Sequence, residues 1–361
     1  MGPDHVTALD GAHHREKRTL LKPAFDQAPA MRYLPQFNEG FRRALAAAAG
    51  SGPAGGAPVE LVKFWADTIT RINAQTVARA EIPDEAIPRL ARWEYQMLRG
   101  LFLDDARASY VEREEYRALK AHALTWLHRI VDERLANPAA YDDNFAATLR
   151  ARAELEGGTP DRERLVNDLY LILLAGTDNT SNLINWALIF TCHAPRWLAA
   201  LRAELDGWDG GDVMALSRLP TLKAILMETQ RVRPGTFVLT KESVLEFEFG
   251  GYRFPAGTKV MYPNVLGHFL EEFYPDPFTF NPERFLAGGR FVPRTQGTFG
   301  GGAHLCLGRN HSLLQSPIAV AQVMKYYDVE FLRPPDFDVR VGYSGGRLEE
   351  ELNVRLIPRS P

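Results

Sequence analysis

The feature that most limits what this chain can fold into lies between Pro160 and Pro195. That stretch is free of proline, and its middle is almost wholly apolar (Leu169, Leu171, Ile172, Leu173, Leu174). Asp161 stands at its start, where a carboxylate can cap free backbone N–H groups. At about 1.5 Å per residue, one uninterrupted helix through the stretch would be about 50 Å long, enough to cross a whole domain. Apolar on every side, it has to be a central helix, buried all round.

The sequence before it reads as the helices such a core needs. Tyr33 to Ala49 is amphipathic, and Leu61 to Ala80, Glu85–Gly100 and Val111–Ala136 follow with helical patterns. They are punctuated by the Gly50–Gly56 run, by Pro83 and by Asn137-Pro138. The glycine run reads as a loop between helices, not a domain boundary. After Arg231 the pattern changes. Val244 to Phe249 alternates with a period of two, Gly250-Gly251 turns, and Tyr252 to Phe254 returns, which predicts a small hairpin. Another short strand is expected at Thr258–Tyr262, then a proline-rich irregular stretch from Tyr274 to Phe299, then a last helix from just after Cys306 to about Tyr326. The fold class is mostly α with a small antiparallel β part, and residues 1–361 read as a single domain.

Composition removes several classes of function. With 361 residues, 45% of them hydrophobic and 24% charged, the chain can bury a large core. Its net charge of −3 lacks the basic footprint of a nucleic-acid binder, so no such partner is expected. Residues 1–20 are polar and have no signal-peptide core, and no run approaches the roughly 20 apolar residues of a membrane span. Val6 stands where myristoylation requires a hydroxyl. The two cysteines, Cys192 and Cys306, cannot scaffold a chain of this length, so a reducing, cytoplasmic location is expected.

The strongest chemical signal is the segment Phe299-Gly300-Gly301-Gly302-Ala303-His304-Leu305-Cys306-Leu307-Gly308. Its glycines permit positive φ and let backbone approach something flat and bulky. Cys306 stands at the mouth of a helix, where free N–H groups and the helix dipole favour a thiolate. Three further patterns accompany it. Glu228-Thr229-Gln230-Arg231 puts opposite charges on one helical face. His14 and Arg18 lie one turn apart, able to clamp an anion. Ala175-Gly176-Thr177-Asp178-Asn179-Thr180 sets a glycine, which costs about 1 kcal/mol relative to alanine, inside the central helix.

In this order and spacing, the segments resemble the cytochrome P450 superfamily, over nearly everything from Gly11 to about residue 356. The cysteine loop matches at Phe299, Gly302, His304, Cys306 and Gly308. The resemblance implies haem b, with Cys306 as the iron's axial ligand, Phe299 near the proximal haem face, Gly302 and Gly308 among the haem-binding residues, and His14, Arg18 and His304 on the propionates. It implies a groove over the iron at Ala175 and Gly176, where dioxygen sits, and a proton relay through Asp178 and a following hydroxyl. It gives Glu228, Arg231 and the Arg284 of Pro282-Glu283-Arg284-Phe285 a structural role, as a buried network. The implied activity is monooxygenation of a small apolar substrate, in a monomer that takes electrons from a separate ferredoxin or flavodoxin-type donor. A reductase-independent isomerase or peroxygenase, and a truncated relic that binds haem poorly, are the alternatives.

Three departures qualify the resemblance. The stretch that family members carry before the His-x-x-x-Arg helix is missing, so either a truncated gene or a natural short form is expected. The propionate arginine expected after the Glu-x-x-Arg segment is absent, with Thr240 and Lys241 in its place. The relay hydroxyl position holds Asn179, with Thr180 one place later. Some sterol-oxidising and prostanoid-isomerising members share that asparagine, and the run Tyr274-Pro275-Asp276-Pro277 is like theirs.

Overall fold

The computed structural model describes residues 5–50, 56–101, 110–286, 297–335, 348 and 351–359. The N-terminal tetrapeptide, the middle of the Gly50–Gly56 run and residues 287–296 of the proline-rich stretch lie outside the described residues.

Helices dominate. In chain order they are α1 (Gly11–Phe25), α2 (Gln27–Met31), α3 (Leu34–Ala49), α4 (Leu61–Thr76), α5 (Ile87–Leu101), α6 (Glu114–Ala136), α7 (Asn144–Glu156), α8 (Arg162–Leu173), α9 (Thr177–Cys192), α10 (Pro195–Asp206), α11 (Pro220–Val232) and α12 (Arg309–Tyr326). The strands are short: β1 (Val59–Glu60), β2 (Leu239–Glu242), β3 (Phe247–Phe249), β4 (Tyr252–Phe254), β5 (Lys259–Tyr262), β6 (Tyr327–Phe331) and β7 (Asn353–Pro358). The hairpin β3–β4 forms as its alternation predicts, pairing Phe247 with Phe254, although Val244 and Leu245 stay outside it. Two further pairings join distant segments: β2 with β5, and β1 and β6 on either side of β7.

The central element is α9, in which every residue from Thr180 to Thr191 is buried. It packs against α4, α11 and α12 and lies within the Pro160–Pro195 stretch. The apolar run Leu169–Leu174 that called for a buried helix falls instead on α8 and the break, where it too is buried. The expectation of one uninterrupted helix is wrong, however. The chain breaks at Leu174–Gly176, between α8 and α9. Asp161 does cap α8, accepting the Arg164 N–H at 2.9 Å. At the break, the N–H groups of Leu174 and Ala175 both reach Tyr170 O, at 2.9 and 3.4 Å, and Thr177 N–H turns to Leu174 O at 2.9 Å. Leu173 O thereby loses the N–H that an unbroken helix would give it. Asn73 on α4 supplies the replacement, donating from Nδ2 at 3.3 Å, and Gln315 on α12 donates to Asn73 Oδ1 at 2.8 Å. An orphaned buried carbonyl costs about 1–3 kcal/mol, so these two amides make the break affordable.

Candidate active site

Cys306 is placed by its loop. Gly300 and Gly302 have φ of 68° and 61°, in the left-handed region that favours glycine. They turn the chain back so that Cys306 N–H meets Phe299 O at 2.9 Å and Leu305 N–H meets Gly302 O at 3.2 Å. Cys306 is exposed where it opens on a cavity of about 410 Å³, although protein packs closely around its thiol. Burial pushes the Cys306 thiol up from its usual range, while backbone N–H groups of Gly308 and Arg309 and the charges of Arg18 and Arg309 pull it back. Cys192, at the far end of α9, has only its burial of consequence, and its thiol is pushed up to about 12. It does not line the cavity.

The cavity has two walls. One is the α8–α9 break, with Leu171, Ile172, Ala175 and Gly176, and then Asn179 and Thr180 on the first turn of α9. The other is the cysteine loop and the start of α12, with Phe299, Cys306, Leu307 and Gly308. His14, Arg18 and His304 also line it. The rings of His14 and His304 stack, with centroids 3.9 Å apart and planes 22° apart. His304 Nε2 lies 3.0 Å from Asp10 Oδ1. Burial, then the neighbouring His304 and Arg18, hold the His14 imidazole below its usual protonation range.

Ten of the sequence-predicted site residues therefore share one cavity: His14, Arg18, Ala175, Gly176, Asn179, Thr180, Phe299, His304, Cys306 and Gly308. Asp178 and Gly302 are outside its lining. Asp178 is half-buried and close enough to Tyr170 to raise that phenol's pKa, behind the larger effects of burial and of Glu94. Gly302 acts through its turn alone, since a Cβ there would meet nothing within 4 Å.

A flat macrocycle bearing two carboxylates fits this arrangement. The walls are mostly apolar and one carries a thiol. Gly176 leaves open space where a side chain would project. Cationic and hydrogen-bonding groups at His14, Arg18 and His304 are available to carboxylates. Lys241, on exposed β2, is near enough to act electrostatically on His14. It is the lysine that stands with Thr240 in place of the propionate arginine, and it is exposed and outside the cavity lining.

Other residues of the site left no mark in the sequence. Asn73 and Gln315 line the cavity and brace the break, and neither lies in a motif. Lys17, buried on α1 between His14 and Arg18, pairs with the buried Asp168 of α8 at 2.5 Å, and Arg152 of α7 grips the same carboxylate at 2.6 Å. This fixes the face that α1 turns to the cavity. A lysine inside a helix whose neighbouring turns face the core was the available signal, but its partner could not be read.

Comparison with known proteins agrees with this architecture. Residues 110–343 match the family model for Cytochrome P450. The putative cytochrome P450 135B1 of Mycobacterium tuberculosis is 28% identical over 336 residues, covering 90% of this chain and 68% of the relative. The cyclooctatin synthase of Streptomyces melanosporofaciens is 24% identical over 332 residues, covering 87% and 70%. The chain thus spans about two thirds of the length of such relatives. Among solved structures, the retinoic acid-bound cyanobacterial CYP120A1 superposes with a TM-score of 0.85 at 22% identity, over 99% of this chain and 82% of that one.

Proposed function

This chain belongs to the cytochrome P450 family, with haem as its cofactor, and from that premise we propose that it is a monooxygenase. It would insert one atom of dioxygen into a small apolar substrate, with electrons from a separate ferredoxin or flavodoxin-type donor. The observation that carries the reading is that Cys306 and the Ala175–Gly176 break line the same cavity. Bound there, haem supplies dioxygen activation at an iron whose thiolate ligand pushes electron density towards the O–O bond.

The residues divide the remaining work. Cys306 is the metal ligand, and Phe299, Gly302 and Gly308 hold it in its turn. His14, Arg18 and His304, with Lys241 beside them, take the carboxylates. Ala175 and Gly176 leave room for a small ligand. Val6, Leu171, Ile172, Leu183 and Leu239 give the cavity an apolar lining suited to an apolar substrate. Thr180, buried and on the wall, can both accept and donate a proton, so it passes protons inward from Asp178. Asn179 holds water but carries protons poorly.

The reduced protein under carbon monoxide tests the ligand. The strongly red-shifted Soret band of thiolate-ligated haem is expected from the parent and from Cys192→Ala, and is lost in Cys306→Ala. The opposite pattern would sink the assignment. Asn179 at the cavity wall, where a hydroxyl was expected, favours a second reading, a reductase-independent isomerase or peroxygenase. Supplying a candidate substrate with electrons alone, then with peroxide alone, separates the two. Turnover that requires the reductant supports the monooxygenase.

A further inference from the structure

Gly235 follows α11 and lines the same cavity as the first turn of α9. Its φ is not in the left-handed region, so its conformation does not call for glycine. What calls for glycine is space. A Cβ on residue 235 would stand 2.6 Å from Asn179 Oδ1, 3.4 Å from its Cγ and 3.7 Å from its Cβ. The carboxamide of Asn179 occupies the volume that a side chain at 235 would fill. The other cavity glycines differ. Gly176 would meet nothing, Gly300 is needed for its turn, and a Cβ on Gly308 would only reach ordinary contact with Cys306 Sγ at 4.0 Å.

The asparagine cannot yield by moving its backbone. The next residue, Thr180, is buried, and its N–H is bonded to Gly176 O at 3.1 Å. Only the side-chain torsions of Asn179 are free to change. We propose that Gly235 is a positioning residue for Asn179. It is a vacant seat that holds the carboxamide against the 234–236 loop and out of the open part of the cavity. The inference rests on the proposed function for what occupies that space. The seat sets how much room a small ligand finds on the Asn179 side. A side chain at 235 swings the amide inward and takes that room away.

The test is carbon monoxide association with the reduced, haem-loaded protein, followed after flash photolysis. Gly235→Ala is expected to slow association by roughly threefold or more, a modest coupling for side chains in contact. Asn179→Ala removes the amide, and in that background the same Gly235→Ala change is expected to have less than about a twofold effect. Asn179→Gln, with glycine intact, carries its amide beyond the seat and should slow association in the same direction. This variant decides the matter if Gly235→Ala fails to load haem. Parent-like association in Gly235→Ala and Asn179→Gln overturns the proposal, as does equal slowing by Gly235→Ala with and without the asparagine amide. The Soret position of each carbon monoxide complex reports thiolate ligation separately. A failure of the haem-thiolate reading is therefore visible as such, and is not confused with a failure of the seat.

Discussion

Two polar clusters meet at the C-terminal end of α11, built from similar residues to opposite ends. Glu228 and Arg231 turn into a knot, both with fully buried side chains. Gln230 and Arg233 turn to the cavity. In the knot, groups answer one another. Arg231 donates to Glu228 at 2.7 and 2.8 Å and to the carbonyls of His268, Pro277 and Thr279 at 2.7, 2.6 and 3.2 Å. Glu228 also accepts from Asn281 N–H at 2.8 Å and Arg284 Nε at 3.3 Å. At the cavity, the Cys306 thiol, the Arg18 guanidinium and the Asn179 amide face a volume of about 410 Å³. Buried charge that the protein saturates itself holds the fold, whereas polarity left open on a cavity is kept for a ligand.

The largest effect that could break this contrast comes from the knot. Arg231→Leu leaves Glu228 buried with its main partner gone, which costs about 3–5 kcal/mol. A denaturant midpoint should fall accordingly, or folded protein should be lost. Cys306→Ala removes a group that only the ligand needs, and the haem-free protein should keep its midpoint to within about 1 kcal/mol. Reversal of that order would mean that the knot is dispensable and the cysteine structural.

The knot also makes stability fall in acid. Burial lowers His268 to about 4, against a smaller upward pull from its hydrogen bond to Arg231 O. Its Nδ1–H donates to that carbonyl at 3.0 Å, and Nε2 has no hydrogen-bond partner among the described residues. As pH drops below about 6.5, the unfolded imidazole takes a proton that the folded one refuses, so stability falls until about pH 4. The loss is on the order of 3 kcal/mol. His311, at the cavity, is also lowered to about 4 by burial and adds a slope of the same sign. Subtracting the profile of His268→Asn, which retains a donor for the carbonyl, isolates the knot's share. An identical slope in parent and variant would remove His268 from the account.

The knot and the cysteine loop were legible in the sequence for the same reason: each is framed by a short motif with fixed spacing. The helices were legible because apolar residues recur along Tyr33–Ala49 and fill Leu169–Leu174 at the end of α8. The break at Leu174–Gly176 was not, because Leu173, Leu174 and Ala175 are all good helix formers. What stabilises the break arrives from Asn73 and Gln315, far away along the chain. The β1–β7–β6 sheet was hidden likewise, since it pairs Val59 with Val354. Gly235 looks like an ordinary loop glycine until Asn179 is placed against it.

A smaller effect is expected at the cations. Arg18→Ala should cost haem retention about 1.5–3 kcal/mol, the value of a charge-assisted hydrogen bond. Haem transfer to an acceptor protein should then be faster by roughly tenfold or more. Arg284→Ala, in the knot, should lower the unfolding midpoint and leave haem transfer near the parent rate under native conditions. If Arg18→Ala retained haem normally, α1 would not be a carboxylate clamp, and His14 and His304 would be stacked for packing alone.

The smallest effect sets fold against site at one atom. Gly176 has φ −95° and ψ −10°, a backbone that alanine adopts without strain. A Cβ there meets nothing within 4 Å. Gly176→Ala should therefore stabilise the haem-free protein by about 0.4–1 kcal/mol, chiefly by restricting the unfolded chain. In the knot, such a gain would carry no penalty. At the cavity wall, the new methyl projects into the space a ligand uses, so haem retention or small-ligand association should weaken in the variant that melts higher. Differential melting of the haem-free and haem-loaded forms reads both sides at once. A variant that gains stability in both forms equally would show that Gly176 borders empty space rather than a ligand. The wall of the site would then have to be drawn closer to Thr180.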